Sequence, residues 1–148
     1  MRIAQGFASL VRCGKLPPAL REVRLTYLWV ALGGALGSMA RFWLTGTVAE
    51  FTGLRFPWGT LLINVLGSFV IGLVAGLTLG PERLGWHPDV RIFVMTGLCG
   101  GFTTFSAFSL QTVELVQSGE VAFAGVYAVA SVVLCVAWAW AGVLLGRP

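Results

Sequence analysis

Four long apolar runs separated by short polar breaks organise the chain: about Tyr27 to Val48, Trp58 to Leu79, Ile92 to Val113, and Val121 to Leu145. Crossing a hydrocarbon core takes ~20 helical residues, so each run predicts a membrane-spanning helix. Only the first contains a charge, Arg41. The connections are short, which predicts adjacent antiparallel helices in one domain over residues 26–148, with no room for an extramembrane catalytic module.

Composition agrees with this pattern. Of 148 residues, 57% are hydrophobic and 11% charged, well away from the balance of a soluble domain. Residues 1–25 differ: Arg2, Arg12, Lys15, Arg21 and Arg24 make them basic, and their apolar cluster is too short for the core of a signal peptide. They read as a disordered basic N-terminal tail, as a surface-lying amphipathic segment, or as the product of a start codon called too early. The three cysteines, Cys13, Cys99 and Cys135, are odd in number and widely spaced, which gives neither a disulfide framework nor a metal site. Positive residues collect on the side of the N-terminus, second loop and C-terminus, with Arg55 opposite, which favours both termini inside. Without the tail that bias is weak.

The polar and small residues within the runs carry the remaining information. Gly33 with Gly37, Gly72 with Gly76, and Gly97 with Gly101 are four apart and allow close helix approach. Arg41 needs a partner, a route to the interface or an aqueous vestibule, and snorkelling and a vestibule role both stand. Thr60 and Asn64 share a face of the second run, where an asparagine amide is either interhelical glue or a functional donor. Tyr127, Ser131 and Cys135 form a stripe down the fourth run that could line a solute track or bond a neighbouring helix. His87 reads as a solvated loop residue and Glu114 as interfacial.

The third run is different in kind. Gly100 and Gly101 weaken a helix, and Thr103 and Thr104 can bond backbone groups, so a break is predicted in mid-membrane. The carbonyls freed there must find partners, and a small hard cation would suit them. Phe105 and Phe108, three apart, would share a side of the resumed helix, where the electropositive edges of their rings can face an anion.

With its G-G-A-L-G-S-M-A-R-F, G-T-L-L-I-N-V-L-G-S-F and G-L-C-G-G-F-T-T-F-S-A-F segments, the chain resembles the Fluc, or CrcB, fluoride channels over about residues 27–146. The resemblance implies an all-α membrane protein of four transmembrane helices, the third broken, assembled as a dual-topology antiparallel homodimer in the inner membrane. An oppositely oriented paralogue is the alternative partner. It further implies passive export of fluoride, which lowers the ion's cytoplasmic concentration, and a structural sodium ion held by backbone carbonyls that fall on Gly100 and Thr103. The family's pore phenylalanines correspond to Phe105 and Phe108, its asparagine to Asn64, its arginine to Arg41 at the vestibule, and its hydroxyl track to Tyr127 and Ser131. This chain departs from the usual pattern at Ala107, Cys135 and Gln111.

Fluoride is small and strongly hydrated, so a selective path needs donors that replace water. The Asn64 amide, the hydroxyls of Thr104, Ser106 and Ser131, and aromatic edges are of that kind. There is no nucleotide loop, acid–base pair or cofactor motif, so the chain reads as a non-enzyme whose partners are an ion and lipid, with no nucleic acid. Two other readings are a small proton-coupled multidrug exporter, which needs an intramembrane carboxylate that helix 1 lacks, and a non-transporting scaffold, which leaves the third run unexplained.

Overall fold

The computed structural model describes residues 18–79 and 85–147. Among these, all regular structure is helical. Helix α1 spans Pro18–Thr52, α2 Trp58–Leu79 and α5 Val121–Leu145. Between them α3 begins as Pro88–Ile92, widens into π geometry over Phe93–Cys99 and ends with Gly100–Phe102; α4 then runs Phe105–Gln117. Residues 1–17 of the predicted basic tail lie outside the described residues.

Helix α1 starts well before the predicted Tyr27, at a proline whose missing N–H suits a first helical turn. Its 35 residues extend ~52 Å at 1.5 Å per residue, beyond a ~30 Å hydrocarbon core. It closes on Gly53, whose φ of 73° lets its N–H return to the Ala49 carbonyl at 2.9 Å. Among the described residues three stretches are long and apolar enough to cross a membrane: Trp58–Thr78, Pro88–Gln117 and Val121–Leu145. These match three of the four predicted spans. The fourth, in α1, is not among them, and this is the run that carries Arg41.

Two glycine seams hold the helices together. In the first, α2 lies on α5: a Cβ on Gly72 would strike the Ala139 carbonyl, and one on Gly76 would lie 2.5 Å from that of Val143. Gly142 of α5 and its C-cap Gly146 answer, against the carbonyls of Phe69 and Leu73. In the second seam α1 lies on α3, where a Cβ on Gly33 would come within 2.9 Å of the Gly97 Cα and one on Gly101 within 2.5 Å of the Gly34 carbonyl. Lipid supplies no hydrophobic drive for helix association, so backbone-to-backbone contact of this kind supplies dispersion energy instead. The small apolar core of the chain lies between α2, α4 and α5, where Leu61, Leu115 and the fully buried Tyr127 meet Phe56 and Phe108.

The predicted break is present, at the threonines of the predicted stretch and not at its glycines. Gly100 and Gly101 are helical, and the extended residues are Thr103 and Thr104. Gly101 is needed for close approach to α1, while the departure from helix comes from the threonines.

Candidate functional site

Each threonine at the break closes one helix. Thr103 sends both its N–H and its hydroxyl to the Cys99 carbonyl, each at 2.9 Å, which ends α3. Thr104 is the N-cap of α4, its Oγ accepting the Ala107 N–H at 3.1 Å. The backbone exposed between them is satisfied from two other helices. Asn64 of α2 accepts the Thr104 N–H at 2.8 Å and donates to the Thr104 carbonyl at 3.2 Å. Arg41 of α1 donates from Nε to the Gly101 carbonyl at 3.1 Å, with the Ser38 hydroxyl at 3.4 Å on the same oxygen. Non-helical backbone at membrane depth persists only with such partners.

The break also sets two helix ends against each other inside a membrane span. The last carbonyls of α3 carry partial negative charge and favour a cation; the first amides of α4 carry partial positive charge and favour an anion. Thr104 and Asn64 leave the leading amides of α4, those of Phe105 and Ser106, outside their own hydrogen bonds.

Beside the break runs a groove of about 410 Å³ whose lining includes Asn64, Gly100, Thr103, Thr104, Phe105 and Phe108. Ser131 and Cys135 of α5 complete it. Ser131 is 6% exposed, and its buried Oγ has no hydrogen-bond partner among the described residues. A buried hydroxyl without a partner is costly, so the position is prepared for a polar guest. The Phe105 and Phe108 rings lie 5.2 Å apart. Phe105 is 77% exposed, whereas Phe108 leans on Tyr127 at 5.2 Å.

Not every predicted residue lines the groove. Tyr127 is buried behind Phe108 and donates its hydroxyl to Gln111 Oε1 at 3.0 Å. Ser106 is exposed and pairs with the Thr104 hydroxyl at 3.2 Å, outside the groove lining. Arg41 holds the Gly101 carbonyl from the α1 side, so its described contact is a backbone partner within the fold. Asn64 lines the groove, yet its carbonyl oxygen and one amide hydrogen serve Thr104, leaving a second hydrogen.

Two contributors escaped the sequence reading. Gly67 has no Cβ because the Thr103 methyl occupies that space, and Ser38 shares the Gly101 carbonyl with Arg41. Their spacing was a usable signal: Gly67 lies three residues from Asn64 and Ser38 three from Arg41, each pair on one helix face.

Comparison with known proteins supplies the family. The family model described as CrcB-like protein, Camphor Resistance (CrcB), matches residues 28–143. The fluoride-specific ion channel FluC of Methylocella silvestris is 55% identical over 118 residues, covering 80% of this chain and 90% of that relative. That of Opitutus terrae is 54% identical over 116 residues, 78% of this chain and 88% of the relative. The Rhodospirillum rubrum channel is 54% identical over 119 residues, covering 80% and 92%. Matched by the family model over residues 28–143, which take in the break and most of both glycine seams, the chain belongs to the CrcB family.

Proposed function

We propose that this chain is a fluoride-specific ion channel that lets fluoride leave the cell passively down its gradient, lowering its cytoplasmic concentration. The observation that carries the reading is the groove at the broken helix, where the positive end of α4, the unpartnered Ser131 hydroxyl and two phenylalanines meet within a membrane span. Such a site offers a small anion donors in place of water without presenting a carboxylate. The names of the relatives support the same ion and a function in which no bond is made or broken.

The working unit is an antiparallel homodimer in the inner membrane, with four spans per chain. The support is physical: Gly100, Phe105 and Ser106 are exposed in the single chain, and polar backbone at that depth cannot face lipid. A second copy covers it. An oppositely oriented paralogue would cover it equally.

The same break suits a structural sodium ion. Among the described residues no three His, Cys, Asp or Glu side chains form a metal cluster, so a hard cation would depend on neutral oxygens. The carbonyls of Gly100 and Thr103, at the negative end of α3, are of the right chemistry, and Gly100 has no atom of another segment within 4 Å of where a Cβ would stand. Two oxygens per chain are too few for one ion, so two copies would share it. Bound there, sodium would supply positive charge that fixes the two breaks together.

Phe105 and Phe108 give the anion their ring edges. Thr104 and Ser131 offer hydroxyl hydrogens, Asn64 its second amide hydrogen, and Ser106 adjusts the Thr104 hydroxyl. Tyr127 supports Phe108 from behind. Arg41, expected at a vestibule, contributes by holding the break open from the α1 side. The test is efflux from liposomes carrying the purified protein, read by a fluoride electrode beside chloride-loaded vesicles. Fluoride release without chloride release is expected; equal release of both, or of neither, would reject the reading.

A further inference from the structure

The groove has neighbours at both ends of the bundle, and they differ in charge. Near the start of α3 lies a cavity of about 500 Å³ lined by Thr78, Trp86, Pro88, Arg91, Met95 and Thr96 among others. Met95 lines both this cavity and the groove, so the two adjoin through one side chain. Arg91 has no ion pair among the described residues, and the nearby Asp89 carboxylate faces His87 Nδ1 at 3.4 Å.

At the opposite end is a cavity of about 620 Å³ that contains Arg55 but also Glu114 and Glu120. Arg55 is bound to Glu120 at 3.0 Å and lies 5.1 Å over the Phe123 ring. Its charge is therefore cancelled locally, and the Tyr127–Gln111 hydrogen bond and the Phe108 ring stand between this end and the groove. Among the described residues, one mouth has an available cation and a direct neighbour relation to the groove; the other has neither.

Resting on the channel reading above, we infer that Arg91 is the residue that collects the anion at its entrance, and that the ion passes Met95 to reach the groove. A cation in a concave, low-dielectric mouth raises the local concentration of anions and their entry rate. Met95 suits a neck, since its unbranched thioether can shift rotamer without disturbing the helix.

The test is the initial fluoride efflux rate from proteoliposomes at low and high ionic strength for the unmodified chain, Arg91→Gln, Arg91→Lys and Arg55→Gln. At low ionic strength Arg91→Gln is expected to fall about threefold or more, one charge's share of the roughly tenfold or greater gain that a charged cleft gives. Arg91→Lys should stay near the unmodified rate, Arg55→Gln should fall far less, and the deficit should shrink as salt screens the mouth. A second variant isolates charge: Arg91→Glu should fall further than Arg91→Gln at low ionic strength and converge with it as salt is raised. An Arg91→Gln rate equal to the unmodified rate, a deficit unchanged by salt, or an Arg91→Lys rate as low as Arg91→Gln would overturn the inference. Absence of fluoride efflux from the unmodified protein would instead reject the channel reading itself.

Discussion

The two glycine seams use the same device for different ends. Between α2 and α5, four glycines bring two unbroken helices into backbone contact, Gly142 within the continuous span and Gly146 capping its end. Between α1 and α3, Gly33, Gly37, Gly97 and Gly101 do the same, but that seam leads directly into a break held by Arg41 and Ser38. Close packing alone makes a stable wall. It becomes a site only where threonines stop the helix and neighbours accept the released polar groups.

The largest effect on that comparison should come from bulk in either seam. Gly142→Leu and Gly101→Leu each drive a side chain into backbone, at a cost of about 3 kcal/mol or more, seen as a lower midpoint in thermal or denaturant unfolding in detergent. The adjacent Gly100→Leu sharpens the point, because no atom of another segment lies within 4 Å of its Cβ position. It should spare the fold of the single chain and weaken dimers, measured by size-exclusion chromatography with light scattering.

An intermediate effect is expected at the break. Asn64→Ala leaves the N–H and carbonyl of Thr104 unpaired. At about 1–3 kcal/mol for each orphaned group, stability should fall by roughly 2–6 kcal/mol, and flux should fall with it. The same substitution at Asn64 has no counterpart in the α2–α5 seam, where no helix is interrupted.

Ser131→Ala should be the mildest. Its hydroxyl has no partner to lose, so stability should hold or rise by up to about 1 kcal/mol. Fluoride efflux should nevertheless slow, which separates a site hydroxyl from a structural one; an unchanged rate would remove Ser131 from the pathway.

Much of this arrangement is legible in the chain because membrane helices leave few polar positions to interpret. Asn64, Thr103, Thr104 and Ser131 stand out against apolar neighbours, and the structure brings them to one groove. The glycine pairs at 33/37, 72/76 and 97/101 likewise mark seams that form. What the sequence does not disclose is pairing. Gly100 and Gly101 invite the idea of a glycine-driven break, yet backbone flexibility does not reveal that Gly101 is required by Gly34 on another helix. The Arg41 acceptor was hidden for a related reason: the Gly101 carbonyl is available only once Thr103 and Thr104 have left the helix. Local chemistry was readable; contacts between distant segments were not.

The central claim is that fluoride passes the paired rings at the break. It is tested most directly by measuring fluoride efflux from proteoliposomes for the unmodified chain and Phe108→Ile, each first shown to have the same size-exclusion profile. The account predicts selective fluoride release from the unmodified chain and background release from Phe108→Ile. Undiminished release from a well-assembled Phe108→Ile protein would contradict it.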